Sequence, residues 1–276
     1  MRFARYLVGG EVSYGMVDGT FVEPLLDVSS VADLLERGLE HRADPVPIAD
    51  VRLLPPVPLV RNPFCVGWNY DDHFAEGAAA RGTDVAPPDH PTYFTKATTS
   101  IIGPADVITR HADVTDSLDW EVELAVVIGQ PGTNIAEAEA MNHVLGFTIA
   151  NDVSARNVQR EHGGQWFRGK SLDATSPLGP WIVTPDELDH LETRPIRCRV
   201  NGEVLQDAVL GDMHFGISRI IAELSRGVSL LAGDVILTGT PSGVGFARTP
   251  PHFLNSGDVV ESEIAGIGQL RNVVGP

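Results

Sequence analysis

The stretch that decides the fold is Asp119-Trp120-Glu121-Val122-Glu123-Leu124-Ala125-Val126-Val127-Ile128-Gly129. Its unbroken run of Val, Ile and Leu, closed by a glycine, predicts a β-strand. Because successive side chains of a strand alternate between its faces, Glu121 and Glu123 are expected to project together from one face. Two carboxylates that close raise each other's pKa, and a divalent cation with oxygen ligands would keep both ionised. An edge strand with a solvated acidic end is the alternative interpretation.

The composition limits the kind of protein that this chain can be. Its 276 residues are 43% hydrophobic, which is enough for one large domain or for one large and one small domain. The net charge of −17 repels phosphate backbones, so no nucleic-acid partner is expected. No apolar run is long enough for a membrane span or a signal core, and no membrane association is expected. Cys65 and Cys198 form no disulfide framework or metal-ligand spacing, which favours a cytoplasmic protein with free thiols.

The chain is expected to divide into a small N-terminal domain, residues 1–58, and a catalytic domain, residues 59–276. A proline-rich passage over residues 45–63 marks this boundary, because proline fixes φ and donates no backbone hydrogen bond. The first 58 residues are predicted to form three short strands joined by tight turns, then a short helix that ends near Gly38. These elements are Phe3–Val8, Val12–Val17, Thr20–Pro24 and the helix Val31–Leu39.

The rest of the chain is predicted to be rich in strands and poor in helices. The helices are few, and no regular alternation of strand and helix is present. This argues against a doubly wound sheet or a TIM barrel and predicts a strand-rich α+β fold. The predicted strands are Glu121–Ile128, Leu145–Ala150, Trp181–Thr184, Cys198–Val200 and Val235–Thr238. The predicted helices are Ala136–Met141, Val153–Arg160 and Phe215–Arg226.

Two further features could complete a catalytic site. Asp152 closes an apolar strand and is a candidate third metal ligand, although it could instead cap the helix that follows. His73 and Glu76 are spaced to meet on one helical turn, where a carboxylate beside an imidazole makes a general base. Small residues after Glu76 suit a mobile lid. An ordinary surface pair of histidine and glutamate is the alternative for these two residues.

Four more residues are candidates for contact with a substrate. Lys170 lies in a glycine-flanked stretch and could supply positive charge to a developing enolate, or it could be a solvated loop lysine. Arg156 and Gln159 share one helix face, where Arg156 could bind a carboxylate or simply be exposed. Thr240 lies in the glycine-rich turn 237–245, whose backbone N–H groups and hydroxyls could anchor an anion. A tight turn between strands is the alternative there.

Taken together, these segments resemble the fumarylacetoacetate hydrolase family. The likeness runs over residues 64 to 275, and its segments occur in the family's order. Each segment alone is a weak motif, whereas seven in the same order are specific. The segments are Val66–Glu76, Asp119–Ala125, Asn151–Gln159, Gly169–Asp173, Pro177–Trp181, Gly233–Pro241 and Ser256–Val260.

The resemblance implies a fold, a metal and a set of roles. The fold would be the family's strand-rich α+β core with a small N-terminal domain, in a homodimer. One Mg²⁺ or Mn²⁺, with Ca²⁺ as a substitute in crystals, would be bound by a carboxylate trio. His73 and Glu76 would be a water-activating dyad on a lid. The trio is Glu121, Glu123 and Asp152, and the substrate contacts are Arg156, Gln159, Lys170 and Thr240.

The function expected from these residues is metal-dependent hydrolysis of a C–C bond in a β-diketo acid of the acylpyruvate type. The alternative is isomerisation, decarboxylation or hydration of 2-oxo or 2-hydroxymuconate-type diacids. A non-catalytic metal-binding module is a third interpretation, but it leaves His73, Glu76 and Lys170 without a role. Asn69 stands where the animal tyrosine-breakdown hydrolase of this family carries a further metal-binding aspartate. Its presence argues against fumarylacetoacetate itself as the substrate.

Overall fold

The computed structural model describes residues 1–26, 28–36 and 42–276. The strands are β1 (Arg2–Val8), β2 (Glu11–Asp18), β3 (Phe21–Leu25), β4 (Val46–Pro47), β5 (Arg52–Leu53), β6 (Phe64–Gly67), β7 (Thr92–Thr95), β8 (Ile101–Ile102), β9 (Leu118–Asp119), β10 (Val122–Ile128), β11 (Val144–Asn151), β12 (Ser154–Ala155), β13 (Ser176–Val183), β14 (Pro195–Val200), β15 (Glu203–Val209), β16 (Val235–Leu237), β17 (Val259–Ile264) and β18 (Gly268–Val273). The α-helices are α1 (Val31–Glu36), α2 (Asp71–Arg81), α3 (Arg156–Glu161), α4 (Phe167–Lys170) and α5 (Ile217–Leu224). Short 3-10 helices cover Ile48–Asp50, Thr98–Ser100, Glu137–His143, Pro185–Glu187, Leu191–Thr193, Leu210–Asp212 and Gly245–Ala247. The strand-rich α+β fold expected from the sequence is confirmed.

One large mixed sheet organises the molecule, and β10 lies in its interior. The sheet has 12 strands, with the order β4-β3-β2-β1-β13-β11-β10-β16-β6-β7, while β5 pairs with β1 and β8 with β13. All seven residues of β10 are buried, because hydrophobic clusters cover both of its faces. A strand buried on both sides is expected to read as a continuous apolar run, as this one does. The alternative of a solvated edge strand is therefore wrong.

The register of β10 against β11 brings together residues that are distant in sequence. Val122 pairs with Asn151 in this antiparallel ladder. One step beyond the ladder, the backbone N–H of Asp152 donates to the carbonyl oxygen of Glu121 at 2.8 Å. Strand pairing thus places the end of β11 directly beside the start of β10.

The N-terminal strands form as predicted and continue the same sheet. β1 to β3 form an antiparallel meander, and β1 also pairs with β13, with Arg2 opposite Val183. The small predicted unit is therefore joined edge to edge with the rest of the chain. The predicted helix is present as α1, and its expected end near Gly38 lies outside the described residues. The boundary near residue 58 stays a prediction.

The predicted helices in the rest of the chain differ in their details. α5 is two residues shorter than predicted at each end. The segment predicted as a helix over Ala136–Met141 is a 3-10 helix, Glu137–His143. The predicted helix Val153–Arg160 begins later, at Arg156, because Ser154 and Ala155 first pair with β9. Asp152 consequently does not cap this helix.

A second sheet packs against the first. Its four strands follow the order β15-β14-β17-β18, and residues from both sheets share one hydrophobic cluster. Cys198 of this sheet and Cys65 of the large sheet are buried free thiols. Within the described residues, no helix has the length and apolar character that crossing a bilayer requires.

Candidate active site

Three buried carboxylates converge at the start of β10, as the sequence predicted. Oxygen atoms of Glu121, Glu123 and Asp152 all lie within 4.8 Å of one another. The three residues are 4%, 1% and 0% exposed. Burial of so many like charges is unfavourable unless cations compensate them. The cations around the cluster therefore decide what it can bind.

Two of the three carboxylates already have cationic partners, and the third does not. Lys170 Nζ lies 2.6 Å from Glu121 Oε2 and 2.6 Å from Asp152 Oδ2. Glu123 accepts a hydrogen bond from the backbone N–H of Gly239 at 2.7 Å, and no ion pair involving Glu123 occurs among the described residues. Burial, with Asp152 and Glu121 nearby, raises the pKa of Glu123 well above its usual range. Although burial opposes it, Lys170 and Arg156 lower the pKa of Glu121. A divalent cation beside Glu123 would supply the missing charge, so the oxygen donor set fits Mg²⁺ or Mn²⁺.

Lys96 is a site residue that the sequence reasoning missed. It follows β7, is fully buried, and its Nζ lies 2.6 Å from Asp152 Oδ1. The same ammonium donates to the carbonyl oxygen of Val153 at 3.2 Å. Lys96 and Lys170 are the only lysines of the chain, and both contact Asp152. This scarcity of lysine was the available sequence signal.

Arg156 holds the strand entry of β10 in place. Its Nε lies 2.7 Å from Asp119 Oδ2, and its Nη2 lies 2.6 Å from Glu121 Oε1. Burial alone would lower the pKa of Arg156, but these two carboxylates raise it above its usual value. Its Nη1 donates to Gln159 Oε1 at 3.2 Å. Arg156 and Gln159 both line a cavity that also contains His73. That they contact a substrate stays a prediction.

The glycine-rich turn after β16 donates backbone hydrogen bonds to carboxylates of the protein itself, and its predicted contact with a substrate anion stays a prediction. The N–H of Gly239 donates to Glu123, that of Gly243 to Glu76, and that of Gly245 to Asp119. Gly243 has φ +103°, and a Cβ there would lie 1.9 Å from the carbonyl oxygen of Leu205, so only glycine fits. The turn therefore fixes carboxylates of the site and of α2.

Thr240 and Asn69 form side-chain hydrogen bonds that connect the glycine-rich turn and β16 to neighbouring segments. The hydroxyl of Thr240 donates to the carbonyl oxygen of Val122 at 2.9 Å and accepts from Gln206 at 2.8 Å. Asn69 Nδ2 donates to the carbonyl oxygen of Thr238 at 2.7 Å. Thr240 borders the cavity, so contact with a substrate stays a prediction for it. Asn69 is fully buried and has a structural role.

His73 and Glu76 form the predicted pair on α2. His73 Nδ1 lies 2.9 Å from Glu76 Oε1, while Glu76 Oε2 accepts the N–H of Gly243 at 2.9 Å. A carboxylate on Nδ1 fixes the tautomer in which Nδ1 carries the proton, which leaves the Nε2 lone pair as a base. His73 is 7% exposed and lines the same cavity as Glu121 and Glu123. This geometry suits a general base.

A cavity of about 280 Å³ connects these groups. Its wall contains His73, Glu121 and Glu123, together with several cationic side chains and a cluster of aromatic rings. Trp166 makes edge-to-face contacts with Trp68, at 4.8 Å between ring centroids, and with Phe94, at 5.2 Å. The lining residues are Val66, Gly67, Trp68, His73, Gly77, Arg81, Phe94, Glu121, Glu123, Arg156, Gln159, Arg160, Gly164, Trp166, Lys170, Thr240 and Phe246.

Comparison with known proteins assigns this arrangement to a family. The family model described as fumarylacetoacetate (FAA) hydrolase C-terminal matches residues 62–275. The chain belongs to the fumarylacetoacetate hydrolase family. Residues 1–56 match a second model, described as Rv2993c-like, N-terminal. The family resemblance seen in the sequence is therefore confirmed.

Similar proteins of this family include a curated enzyme and two solved structures. The oxaloacetate tautomerase YisK of Bacillus subtilis (strain 168) is 45% identical over 229 residues, which cover 83% of this chain and 74% of that protein. A fumarylacetoacetate hydrolase structure from Exiguobacterium antarcticum has a TM-score of 0.86 at 42% identity and covers 100% of this chain and 99% of that chain. A 5-carboxymethyl-2-hydroxymuconate delta-isomerase structure from Mycobacterium smegmatis has a TM-score of 0.81 at 36% identity, with coverage of 100% and 98%.

Proposed function

We propose that this protein is a metal-dependent tautomerase that interconverts the keto and enol forms of a small 2-oxo acid of the oxaloacetate type. The observation that carries the proposal is the placement of one oriented imidazole, His73, in the same cavity as Lys170, Glu121 and Glu123. Enolisation needs a base at carbon 3 and positive charge at the carbonyl oxygen. Relatives named oxaloacetate tautomerase and isomerase support the same reaction class.

The proton transfer is assigned to His73. Nε2 takes a proton from carbon 3 of the keto acid, and the electron pair of that C–H bond forms the C2–C3 double bond. The carbonyl oxygen then gains a proton from water and the imidazolium returns its proton to water, which gives the enol, and the reverse sequence regenerates the ketone. No bond between heavy atoms forms or breaks. Glu76 keeps the imidazole oriented through Nδ1 and stabilises the imidazolium that forms.

Positive charge at the carbonyl oxygen comes from other groups of the site. Glu121, Glu123 and Asp152 would hold one Mg²⁺ or Mn²⁺, which acts as a Lewis acid on the 2-oxo acid when bound. The Lys170 ammonium is fixed by Glu121 and Asp152, both at 2.6 Å, and borders the cavity. Burial lowers the pKa of Lys170, but Asp152 and Glu121 outweigh this effect and raise it, so the side chain stays charged. It therefore supplies a fixed positive charge.

The size of the cavity favours a short substrate. A volume of about 280 Å³ is near the lower end of the range of small-molecule sites, roughly 300–1,000 Å³. Four-carbon oxaloacetate fits within this volume.

Hydrolysis of acylpyruvates is the second candidate, favoured by the same pair of His73 and Glu76. If a water molecule lay between His73 and the distal carbonyl, the imidazole would deprotonate water instead of carbon. Attack would break the C–C bond and release a carboxylic acid and the enolate of pyruvate. The two reactions therefore differ in what His73 deprotonates, and product analysis separates them.

The test measures both reactions on the Mg²⁺-loaded protein. Loss of the ultraviolet absorbance of the enol form of oxaloacetate reports tautomerisation, and release of pyruvate from acetylpyruvate reports hydrolysis. Replacement of His73 by Ala should slow tautomerisation by roughly 10²–10⁴-fold while Mn²⁺ binding persists. Glu123→Gln should lose both metal binding and turnover. Full tautomerase activity in either variant would refute the proposal, and cleavage of acetylpyruvate without tautomerisation would replace it with the second candidate.

A further inference from the structure

Arg81 and Arg160 are two cations of the cavity without an anionic partner. Among the described residues, no ion pair or hydrogen bond to a carboxylate involves either guanidinium, whereas Arg156 beside them is bound by Asp119 and Glu121. Ten other arginines of the described residues form ion pairs with carboxylates, and the net charge of the chain is −17. Two unpaired arginines in one cavity therefore point to an anion that the protein itself does not supply.

Aromatic rings hold both side chains against the cavity wall. Cζ of Arg81 lies 5.8 Å from the ring centroid of Trp68, and its guanidinium folds back over Gly77, where a Cβ would lie 3.1 Å from Nη1. Cζ of Arg160 lies 5.2 Å from the ring centroid of Phe246. Stacking on aromatic faces restricts a guanidinium while its N–H donors stay available. Both groups are therefore oriented before any ligand binds.

The two arginines line the exposed part of the cavity. Glu121 and Glu123 of the same cavity are buried, whereas Arg81 and Arg160 are exposed. Burial, together with the positive charges of Arg160 and Arg156, lowers the pKa of Arg81. The repulsion between these like charges would be relieved by a negative charge placed between them.

We propose that Arg81 and Arg160 together bind the distal carboxylate of a dianionic 2-oxo acid and so select dicarboxylates over monocarboxylates. The assignment rests on the proposed function, in which the 2-oxo end lies at the carboxylate trio. An arginine can bind a carboxylate through two parallel N–H···O bonds, which gives both affinity and orientation. A neutral ester or amide at the same position accepts hydrogen bonds but offers no charge.

The same contact couples substrate binding to the position of α2. Arg81 is the last residue of α2, the helix that carries His73. Arg160 belongs to α3, the helix that follows Asp152 in the chain. A carboxylate bound by both guanidinium groups links the two helices. The substrate's own second charge thus helps to hold the base over carbon 3, and a substrate without that charge loses both binding and alignment.

The experiment compares oxaloacetate with its 4-methyl ester, which has the same 2-oxo end but no distal charge. Equilibrium binding to the Mg²⁺-loaded protein is measured by calorimetry, and KM and kcat are measured beside it. Arg81→Met and Arg160→Met should each weaken oxaloacetate binding about tenfold or more, and change ester binding less than about twofold. Arg160→Lys should keep part of the preference. Arg226→Met removes an exposed arginine outside the cavity and is the matched control, with no expected change.

The outcomes separate the proposed role of Arg81 and Arg160 from the proposed function. If the unmodified protein binds acid and ester equally, or if the variants leave their affinity ratio unchanged, the role of Arg81 and Arg160 is refuted even where tautomerisation is intact. If the protein prefers oxaloacetate to the ester through these arginines but does not tautomerise it, their role in carboxylate binding is supported and the proposed reaction is wrong. A loss of affinity for acid and ester alike would mean that the arginines only shape the cavity.

Discussion

Lys96 shows how a residue without contact to solvent can shape the carboxylate trio. Its side chain is fully buried, and its ammonium is fixed between Asp152 and the carbonyl oxygen of Val153. One oxygen of Asp152 is thereby directed toward Lys96, and the other points to Lys170. Lys96 therefore acts on the site through the orientation of Asp152.

Replacement of Lys96 by Met should destabilise the fold and weaken metal binding. Removing one partner of a buried ion pair leaves the other charge uncompensated, which costs about 3–5 kcal/mol of unfolding free energy. Denaturant unfolding and Mn²⁺ titration measure the two effects. Arg197→Met is the control, because its pair with Asp207 is exposed and should contribute about 1 kcal/mol or less. Equal losses in the two variants would contradict this role for Lys96.

At the residue scale, the sequence predicted the three carboxylates of the cluster better than the cations that pair with them. Glu121 and Glu123 share a strand, and Asp152 ends an apolar run, so local patterns point to all three. Lys96 lies 56 residues before Asp152. Its segment has no motif of its own, and only the packing of β7 near the end of β11 brings it to the site. Such contacts follow from tertiary structure and have no local signal.

The helix α2 is attached to the body of the protein by a turn that tolerates little change. Glu76 binds the N–H of Gly243, and Gly243 passes against the backbone at Leu205. The position of His73 thus depends on the close approach of this turn to β15.

Replacement of Gly243 by Ala should displace this turn and loosen α2. A Cβ at Gly243 would lie 1.9 Å from the carbonyl oxygen of Leu205, in addition to the strain of φ +103°. Gly257→Ala is the matched control, because φ is +96° there and no atom lies within 4 Å of the added carbon. Backbone strain alone should cost about 1–3 kcal/mol at Gly257, and Gly243→Ala should lose clearly more. If urea unfolding gives the same loss for both, close packing at Gly243 is unimportant.

At the element scale, the sequence predicted strand identity but not strand order. The apolar run of β10 has only one reasonable interpretation, and its neighbour β11 follows it in the chain. β10 also pairs with β16, more than a hundred residues later, and β1 pairs with β13. Pairings between distant strands depend on the whole sheet. The delayed start of α3 has the same origin, since β12 pairs with β9 before the helix can begin.

At the scale of the whole molecule, the candidate metal site brings together residues from distant parts of the chain. Glu121 and Glu123 belong to the start of β10, Asp152 follows β11, and Lys170 ends α4. A cation bound there would interact with the folded state and not with the unfolded chain. Binding and folding are therefore thermodynamically linked.

Addition of Mg²⁺ or Mn²⁺ should raise the melting temperature, and a chelator should reverse the rise. A ligand at 100 times its dissociation constant contributes about 2.7 kcal/mol, which corresponds to a shift of roughly 5–10 °C for a protein of this size. Differential scanning calorimetry measures it. Glu123→Gln should not respond to metal, whereas Arg226→Met should respond like the unmodified protein. A thermal transition that is insensitive to metal in the unmodified protein would exclude a tight site.

The confinement of lysine to the interior has a practical consequence. Lys96 and Lys170 are 0% and 3% exposed, so reagents that acylate primary amines find no accessible lysine side chain in the folded chain. Ester-activated dyes, ester-activated biotin and amine-reactive sensor surfaces should therefore attach to no lysine of the native protein. Lysine-directed cross-linkers should give no distance information on the native protein. A labelled lysine in native conditions would report opening of the site itself.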